Sequence, residues 1–194
     1  PRSDASTTAL KNIVRYGDTD IFPRAFEIGA LRDEPAEALR ILDELENNFQ
    51  ESFSRFPPSN IVALAQTGHN GYRWASQIDP LYNLLLLKLT LDIAPELELA
   101  RLPTALQAVF SYRYAPDPES GRLFDDDSNW ASFQEAARDH AKQSHFVVRT
   151  DIADFYSRIV HRNLQQKIDS FSDNHEAIAK IMAVLGHQFR AGVG

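Results

Sequence analysis

The residues best suited to chemistry lie in one stretch, residues 145–164, with the sequence HFVVRTDIADFYSRIVHRNL. Residues 146–148 (FVV) are strong β-formers and predict a short buried strand that ends near Asp151. A carboxylate at a strand end, beside the backbone carbonyl of Ile152, suits a hard cation such as Mg²⁺, which takes oxygen ligands. Asp151 could instead cap the following helix, but Asp154 is better placed for that role. We therefore expect Asp151 to be a metal ligand.

Other side chains could contact a nucleotide, and each has a structural alternative. Tyr156 could form the floor of a sugar pocket and block a 2′-hydroxyl, or it could pack in the core as a helix-face aromatic. Arg73 and Arg113 lie beside short apolar segments, where a guanidinium could bind phosphate oxygens. Surface salt bridges are the alternative for both arginines. The acidic run 125–127 could attract a cation or form a solvated turn.

Length and composition describe an ordinary globular protein. The 194 residues suffice for one large domain or two small ones, and 43% hydrophobic with 24% charged residues is typical of soluble folds. The absence of cysteine excludes disulfides and thiolate metal sites and fits a reducing compartment. The N-terminus lacks the apolar core of a secretory signal, and polar residues interrupt the longest apolar run, 81–93. The sequence therefore predicts a cytoplasmic protein.

Charge is distributed unevenly along the chain. The net charge of −7 argues weakly against a nucleic-acid partner. Residues 92–127 carry eight acids and three arginines, whereas residues 138–167 carry six bases and three acids. The basic excess surrounds the stretch 145–164. A nucleic-acid or nucleotide surface there and a plain solvated helix face both remain open.

The spacing of apolar residues and the positions of proline and capping residues predict a mixture of helices and strands. Helices are predicted at residues 8–15, 35–53, 81–91, 129–143, 155–164 and 174–190. Strands are predicted at residues 108–114 and 146–148, and residues 60–66 fit either a strand or a short helix. Asp79 and Ser128 are the expected N-caps, and Pro95 is expected to end the helix or start a new turn.

The second half of the chain resembles a reverse transcriptase. Residues 147–164 resemble motif A of that family: a hydrophobic strand, then Asp-Ile-x-x-Phe-Phe/Tyr-x-x-Ile, then a helix. Upstream, Arg73 resembles the early fingers arginine, residues 79–101 the helix after it, and residues 109–113 (VFSYR) the fingers strand before motif A. The resemblance covers roughly residues 70–194 and is closest to bacterial retron-like and phage-defence (abortive-infection) reverse transcriptases.

The resemblance implies a fold and an activity. The fold would be helix-rich α+β, the fingers and incomplete palm of a polymerase right hand. Residues 1–66 would be an N-terminal helical region, 67–144 fingers-like, and 145–194 the start of the palm. The full-length protein would be an RNA-directed DNA polymerase in bacterial antiviral defence. It would act on an RNA or DNA template-primer and deoxynucleotides with two Mg²⁺ ions, or with Mn²⁺ in their place.

The resemblance also implies roles for single residues. The catalytic and metal-binding residue would be Asp151, with the carbonyl of Ile152 as a second ligand. Nucleotide contacts would come from Tyr156 as the steric gate, Phe155, Arg113 and Arg73. The family's Tyr-x-Asp-Asp hairpin, which supplies two further carboxylates, and its thumb have no match in this sequence. We therefore expect a truncated chain that cannot polymerise alone, although it could oligomerise.

Two readings compete with the polymerase. One is a non-catalytic module that keeps the polymerase fold and binds nucleic acid or a partner protein. The other is a plain helical scaffold in which the likeness to motif A is chance.

Overall fold

The core is organised around one long helix, α5 (Pro80–Leu99). It begins as predicted: the Asp79 side chain accepts a hydrogen bond from the Tyr82 amide at 3.0 Å, and Pro80 occupies the first turn. Leu84, Leu85 and other residues on several sides of this helix are fully buried. Pro95 lies inside the helix, which continues to Leu99, so the predicted break there is wrong. The computed structural model describes residues 2–191 except 18–21, 68–70 and 153–154.

Five further helices surround α5 or support those that do. They are α1 (Arg2–Tyr16), α2 (Glu27–Asp33), α3 (Pro35–Asn47), α4 (Phe49–Arg55) and α8 (His175–Ala191). The predicted helix at residues 35–53 is two helices, because Asn48 leaves helical geometry with φ −110° and ψ 34°. The shared core includes Ile13, Leu42 and Ile178, which are almost completely shielded from solvent.

A β-hairpin precedes α5. Strand β1 (Asn60–Thr67) pairs antiparallel with β2 (Gly71–Ile78), so residues 60–66 form a strand. The hairpin closes where Ser59 meets Asp79: the Ser59 amide donates to Asp79 Oδ2 at 3.0 Å, and the Asp79 amide donates to the Ser59 carbonyl at 3.1 Å. Asp79 therefore both ends the hairpin and starts α5.

A second small sheet follows α5. Strand β3 (Tyr114–Asp117) pairs antiparallel with β4 (Arg122–Phe124). The predicted strand at residues 108–114 is wrong for 108–113, because Tyr112 adopts a left-handed φ of 51°, which extended strands exclude. In the connecting turn, a Cβ on Gly121 would lie 2.8 Å from backbone atoms of α1, so only glycine fits there.

Helix α6 (Trp130–Lys142) confirms the predicted helix but not its predicted cap. Asn129, one residue after Ser128, accepts hydrogen bonds from the Ala131 and Ser132 amides at 2.8 and 3.0 Å. The Ser132 hydroxyl accepts the Asn129 amide in return at 2.9 Å, which completes a capping box.

The stretch after α6 differs most from prediction. Residues 144–152 form neither helix nor strand, so the predicted strand at residues 146–148 is wrong. A single 3₁₀ turn spans Tyr156–Arg158, and α7 (His161–Asp169) begins six residues later than predicted. Strand-forming residues need a neighbouring strand for their backbone groups, and none pairs with this stretch among the described residues. The predicted capping role of Asp154 lies outside those residues.

The described part of the chain is thus a helix-rich α+β fold with eight helices and two small antiparallel sheets. No helix within it is both long and apolar enough to cross a membrane.

Candidate functional site

Asp151 and Ile152 lie together on an exposed, irregular segment. Both residues face solvent, and Asp151 Oδ1 accepts a hydrogen bond from the Ile152 amide at 2.8 Å. The carboxylate keeps further lone pairs for a cation. It is therefore accessible, as a metal ligand must be, but no strand holds it in place.

The magnesium prediction can be tested against the groups around Asp151. Mg²⁺ requires octahedral oxygen coordination, which proteins commonly supply with one or two carboxylates, substrate phosphates and water. Among the described residues, no group of three or more histidine or acidic side chains could hold a metal ion. Asp151 and the Ile152 carbonyl would thus form only part of a site for Mg²⁺ or Mn²⁺. They do not make a complete site here.

Tyr156 and Phe155 form an exposed aromatic pair. Their ring centroids lie 5.4 Å apart at an interplanar angle of 65°, and Tyr156 is 72% exposed. Packing in the core, the structural alternative for Tyr156, is therefore wrong. A contact between this ring and a nucleotide sugar stays a prediction.

Arg113 is turned into the protein. It is only 6% exposed, forms an ion pair with Glu98, and donates to the Leu102 carbonyl at 2.8 Å. Glu98 also accepts the Tyr114 amide at 3.1 Å and pairs with Arg101 at 3.2 Å. In this arrangement the Arg113 guanidinium joins the end of α5 to β3. The salt bridge that the sequence left as an alternative is present, in a buried rather than a surface setting.

Arg73 is located by its backbone alone. It lies in β2 directly opposite Ala65 of β1, and its side chain is outside the described residues. Within the described structure, no hydrogen bond or ion pair joins Asp151, Tyr156 and Arg113. Arg113 is buried, whereas Asp151 and Tyr156 are exposed, so a shared nucleotide site for these residues stays a prediction.

A different site emerges around the second sheet. A groove of about 980 Å³ lies between α1, β4, the start of α6 and residues 108–112. Its aromatic lining consists of Tyr16, Phe110, Tyr112, Phe124, Trp130 and Phe133. The rings of Trp130 and Phe133 lie 5.2 Å apart, and those of Tyr112 and Phe124 5.1 Å apart, which is the usual spacing of aromatic pairs. We call this the aromatic groove.

Polar contacts hold the walls of the aromatic groove. Arg101 donates to the carbonyls of Ser111 and Tyr112, each at 2.7 Å, and so supports the left-handed backbone at Tyr112. On the opposite wall, the Asn12 side chain donates to the Gly121 carbonyl at 2.8 Å. These hydrogen bonds fix the backbone of both walls and add to the ring–ring contacts of the lining.

The acidic run lies at one edge of this groove. Asp125 accepts the Asp127 amide at 3.0 Å and the Ser128 hydroxyl at 2.9 Å. These two hydrogen bonds lower the pKa of Asp125, so its carboxylate is charged at neutral pH. Asp126 forms an ion pair with Arg122. The run thus forms the turn that the sequence suggested and also gives the groove a negative edge.

Sequence reasoning missed the aromatic groove because it placed residues 108–114 in a strand and took residues 129–143 as a helix without a binding role. The available signal was the density of aromatic residues between positions 110 and 133. Comparisons of the chain bring no further guide to the site: no family model, no curated protein and no solved structure matches it.

Proposed function

We propose that this chain is the N-terminal part of an RNA-directed DNA polymerase of the reverse transcriptase type, comprising its fingers and the beginning of its palm, with a role in bacterial antiviral defence. The observation that carries the proposal is the stretch 145–164. It has the residue order of motif A, and its central carboxylate, Asp151, is accessible to solvent.

The exposure of the preceding residues supports this proposal. Phe146 is 89% exposed and Val148 85% exposed, although both are strong β-formers. Full burial of such side chains contributes about 1.5–3 kcal/mol each, so a folded protein gains by covering them. A palm sheet would do so, with Val147 and its neighbours as one strand. Strands from another polypeptide segment would complete that sheet.

The order of the upstream elements gives a second line of support. Arg73 lies in a hairpin strand, and α5 begins immediately after that hairpin, at the Asp79 cap. The resemblance to the fingers has the same order: an arginine followed by a long helix. These two elements support the proposal, whereas the expected fingers strand at residues 109–113 is absent.

The roles of the site residues follow from this proposal. Asp151 and the Ile152 carbonyl would hold a Mg²⁺ ion, which in two-metal enzymes stabilises the attacking and leaving oxygens of phosphoryl transfer. Tyr156, beside Phe155, would restrict the sugar pocket to deoxynucleotides. The contribution of Arg113 would be positional, through its ion pair with Glu98, unless that pair opens.

The test is primer extension by the product of the complete natural reading frame. With an RNA template, an annealed DNA primer, deoxynucleotides and Mg²⁺, we expect extension that Asp151→Asn abolishes. Asp173→Asn is the matched control, because Asp173 is exposed and its side chain forms no hydrogen bond or ion pair with another described residue. Tyr156→Ala should increase incorporation of ribonucleotides. Full activity of the Asp151→Asn protein would refute the proposal.

The alternative is a non-catalytic module that keeps this fold and binds nucleic acid or a partner protein. The burial of Arg113 favours it, since that guanidinium is not presented to a phosphate. The same assay separates the two functions. A protein that binds template-primer with equal affinity in wild-type and Asp151→Asn forms, and extends it in neither, is the non-catalytic module.

A further inference from the structure

We propose that the aromatic groove binds a basic, extended peptide segment of a partner protein, with arginine or lysine side chains lying over its aromatic rings. This inference is independent of the polymerase proposal, because it rests on residues outside the stretch 145–164.

The groove has the size and composition of a binding site. Its volume of about 980 Å³ lies at the upper end of the range for ligand sites, and six of its lining residues are aromatic. Tyr112 is 68% exposed and Trp130 64% exposed, so large apolar faces are open to solvent. Contiguous exposed apolar surface of this kind marks an interaction site.

The negative charge at the edge of the aromatic groove favours a cationic ligand. Asp125 and Asp126 lie in the lining of the groove, and Arg122 forms an ion pair with Asp126. Within the described part of the chain, no salt bridge links Asp125 or Asp127 to a base. A cationic side chain could therefore contact a carboxylate and an aromatic face together, which are two attractive interactions of different origin.

The protein already uses this chemistry at the groove. The Arg15 guanidinium lies 5.3 Å from the centroid of the Tyr16 ring, a cation–π contact at one wall. The faces of Trp130 and Tyr112 have no such cation over them in the described structure. A nucleic acid would instead bring phosphates towards the acidic run, which makes it the less favourable occupant.

The backbone of one wall indicates a polypeptide rather than a small molecule. In residues 108–110, the amide and carbonyl groups make no hydrogen bond to any other described residue. Unpaired backbone groups at the edge of a groove can pair with the main chain of an extended peptide, as in β-strand addition. Side chains on one face of that peptide would then enter the groove and meet the rings.

The experiment measures binding of a fluorescein-labelled hexapeptide of alternating arginine and leucine to the 194-residue chain, by fluorescence anisotropy. We expect saturable binding that weakens as salt increases. The matched peptide with glutamate in place of arginine should not bind. A version with N-methylated backbone amides should bind at least tenfold more weakly, because it cannot pair with residues 108–110.

Variants of the groove test the same contacts from the protein side. Trp130→Ala should weaken binding about tenfold, and Asp125→Asn about threefold, in keeping with the size of cation–π and exposed ion-pair contacts. Glu135→Gln is the matched control, since Glu135 is an exposed acid of α6 outside the groove, and it should leave the Kd unchanged. An unchanged thermal unfolding midpoint for each variant excludes a folding defect.

Several results would overturn the proposal. They are absence of saturable binding, equal binding of the glutamate peptide, or an equal effect of Glu135→Gln and Asp125→Asn. Tighter binding of a single-stranded oligonucleotide than of the arginine peptide would also overturn it and identify the groove as a nucleic-acid surface.

Discussion

Helix α5 and the segment 144–152 are both rich in apolar residues, yet one is the centre of the core and the other is exposed. Leu84 and Leu85 of α5 are fully shielded, whereas Phe146 and Val148 are almost fully open to solvent. A helix satisfies its own backbone hydrogen bonds, so α5 needs only side-chain neighbours to be buried. A strand needs another strand beside it to pair its backbone groups. The apolar side chains of residues 146–148 are therefore not buried unless a sheet is present.

This difference bears on function. The proposed catalytic Asp151 lies in an exposed segment without helix or strand, while the hairpin and α5 are joined by the hydrogen bonds of Asp79. Regions with few buried contacts open at low free-energy cost, which is common for segments that become ordered when they bind a partner. The polymerase proposal therefore requires this segment to gain order from the rest of the palm.

The largest effect should come from a cavity in the core. Leu85→Ala removes a fully buried side chain of α5 and should lower the free energy of unfolding by about 2–5 kcal/mol in urea titrations. Val148→Ala, in the exposed segment, should change it by less than about 0.5 kcal/mol. Comparable losses for the two variants would mean that the segment is buried in solution.

A buried ion cluster in the core should have the next largest effect. Lys88 of α5 contacts Glu46 at 2.5 Å and Asp92 at 2.9 Å, with its side chain only 10% exposed. Lys88→Ala leaves two carboxylates without their cation and should cost about 3 kcal/mol of unfolding free energy. Lys88→Met removes the charge but keeps an apolar stem. It should therefore lower the unfolding free energy less than Lys88→Ala does, because much of that stem is packed.

The same cluster predicts a pH dependence. Burial opposes the charged form of Lys88, but hydrogen bonds to Glu46 and Asp92 outweigh it and raise the pKa of Lys88. Burial also raises the pKa of Tyr82 to about 12. For both groups the stabilisation is complete below the unfolded pKa of about 10 and is lost as pH rises through the folded pKa. Urea titrations above pH ~10 should show this loss, and Tyr82→Phe with Lys88→Met should reduce it.

Features that depend on local sequence could be predicted, and features that depend on contacts between distant segments could not. Most helices were predictable because their apolar pattern is local, but the short helix α2 was not predicted and α7 begins six residues later than expected. The Asp79-Pro80 start of α5 was readable from two residues. The predicted break at Pro95 was wrong, because the missing proline amide removes one hydrogen bond without forcing this helix to end. The predicted strand at residues 108–114 was wrong because Tyr112 has a left-handed backbone. Arg101, from another part of the chain, supports that backbone by donating to the Tyr112 carbonyl. The aromatic groove depends on such non-local contacts and could not be read from spacing.

Helix α6, which joins the second sheet to the exposed segment, offers a smaller effect. Asn129→Ala removes both side-chain hydrogen bonds of its N-cap and should lower stability by about 1 kcal/mol. Ser128→Ala, at the position expected from sequence, loses only the hydroxyl contact to Asp125 and should cost less. Thermal or urea unfolding of the two variants compares the caps directly. A larger loss for Ser128→Ala would contradict the capping box.

The smallest effect should be the most informative about the exposed segment. Proline cannot donate a backbone hydrogen bond, so in a paired central strand it costs several kcal/mol, but in an unpaired segment it costs little. Val147→Pro should therefore change the unfolding free energy of this chain by less than about 0.5 kcal/mol. In the product of the complete natural reading frame, the same substitution should abolish primer extension, because there residues 146–148 would pair within the palm sheet. A loss of stability in this chain, without loss of primer extension in the complete protein, would contradict both expectations. The segment would then be ordered by this chain and would not be part of a catalytic palm.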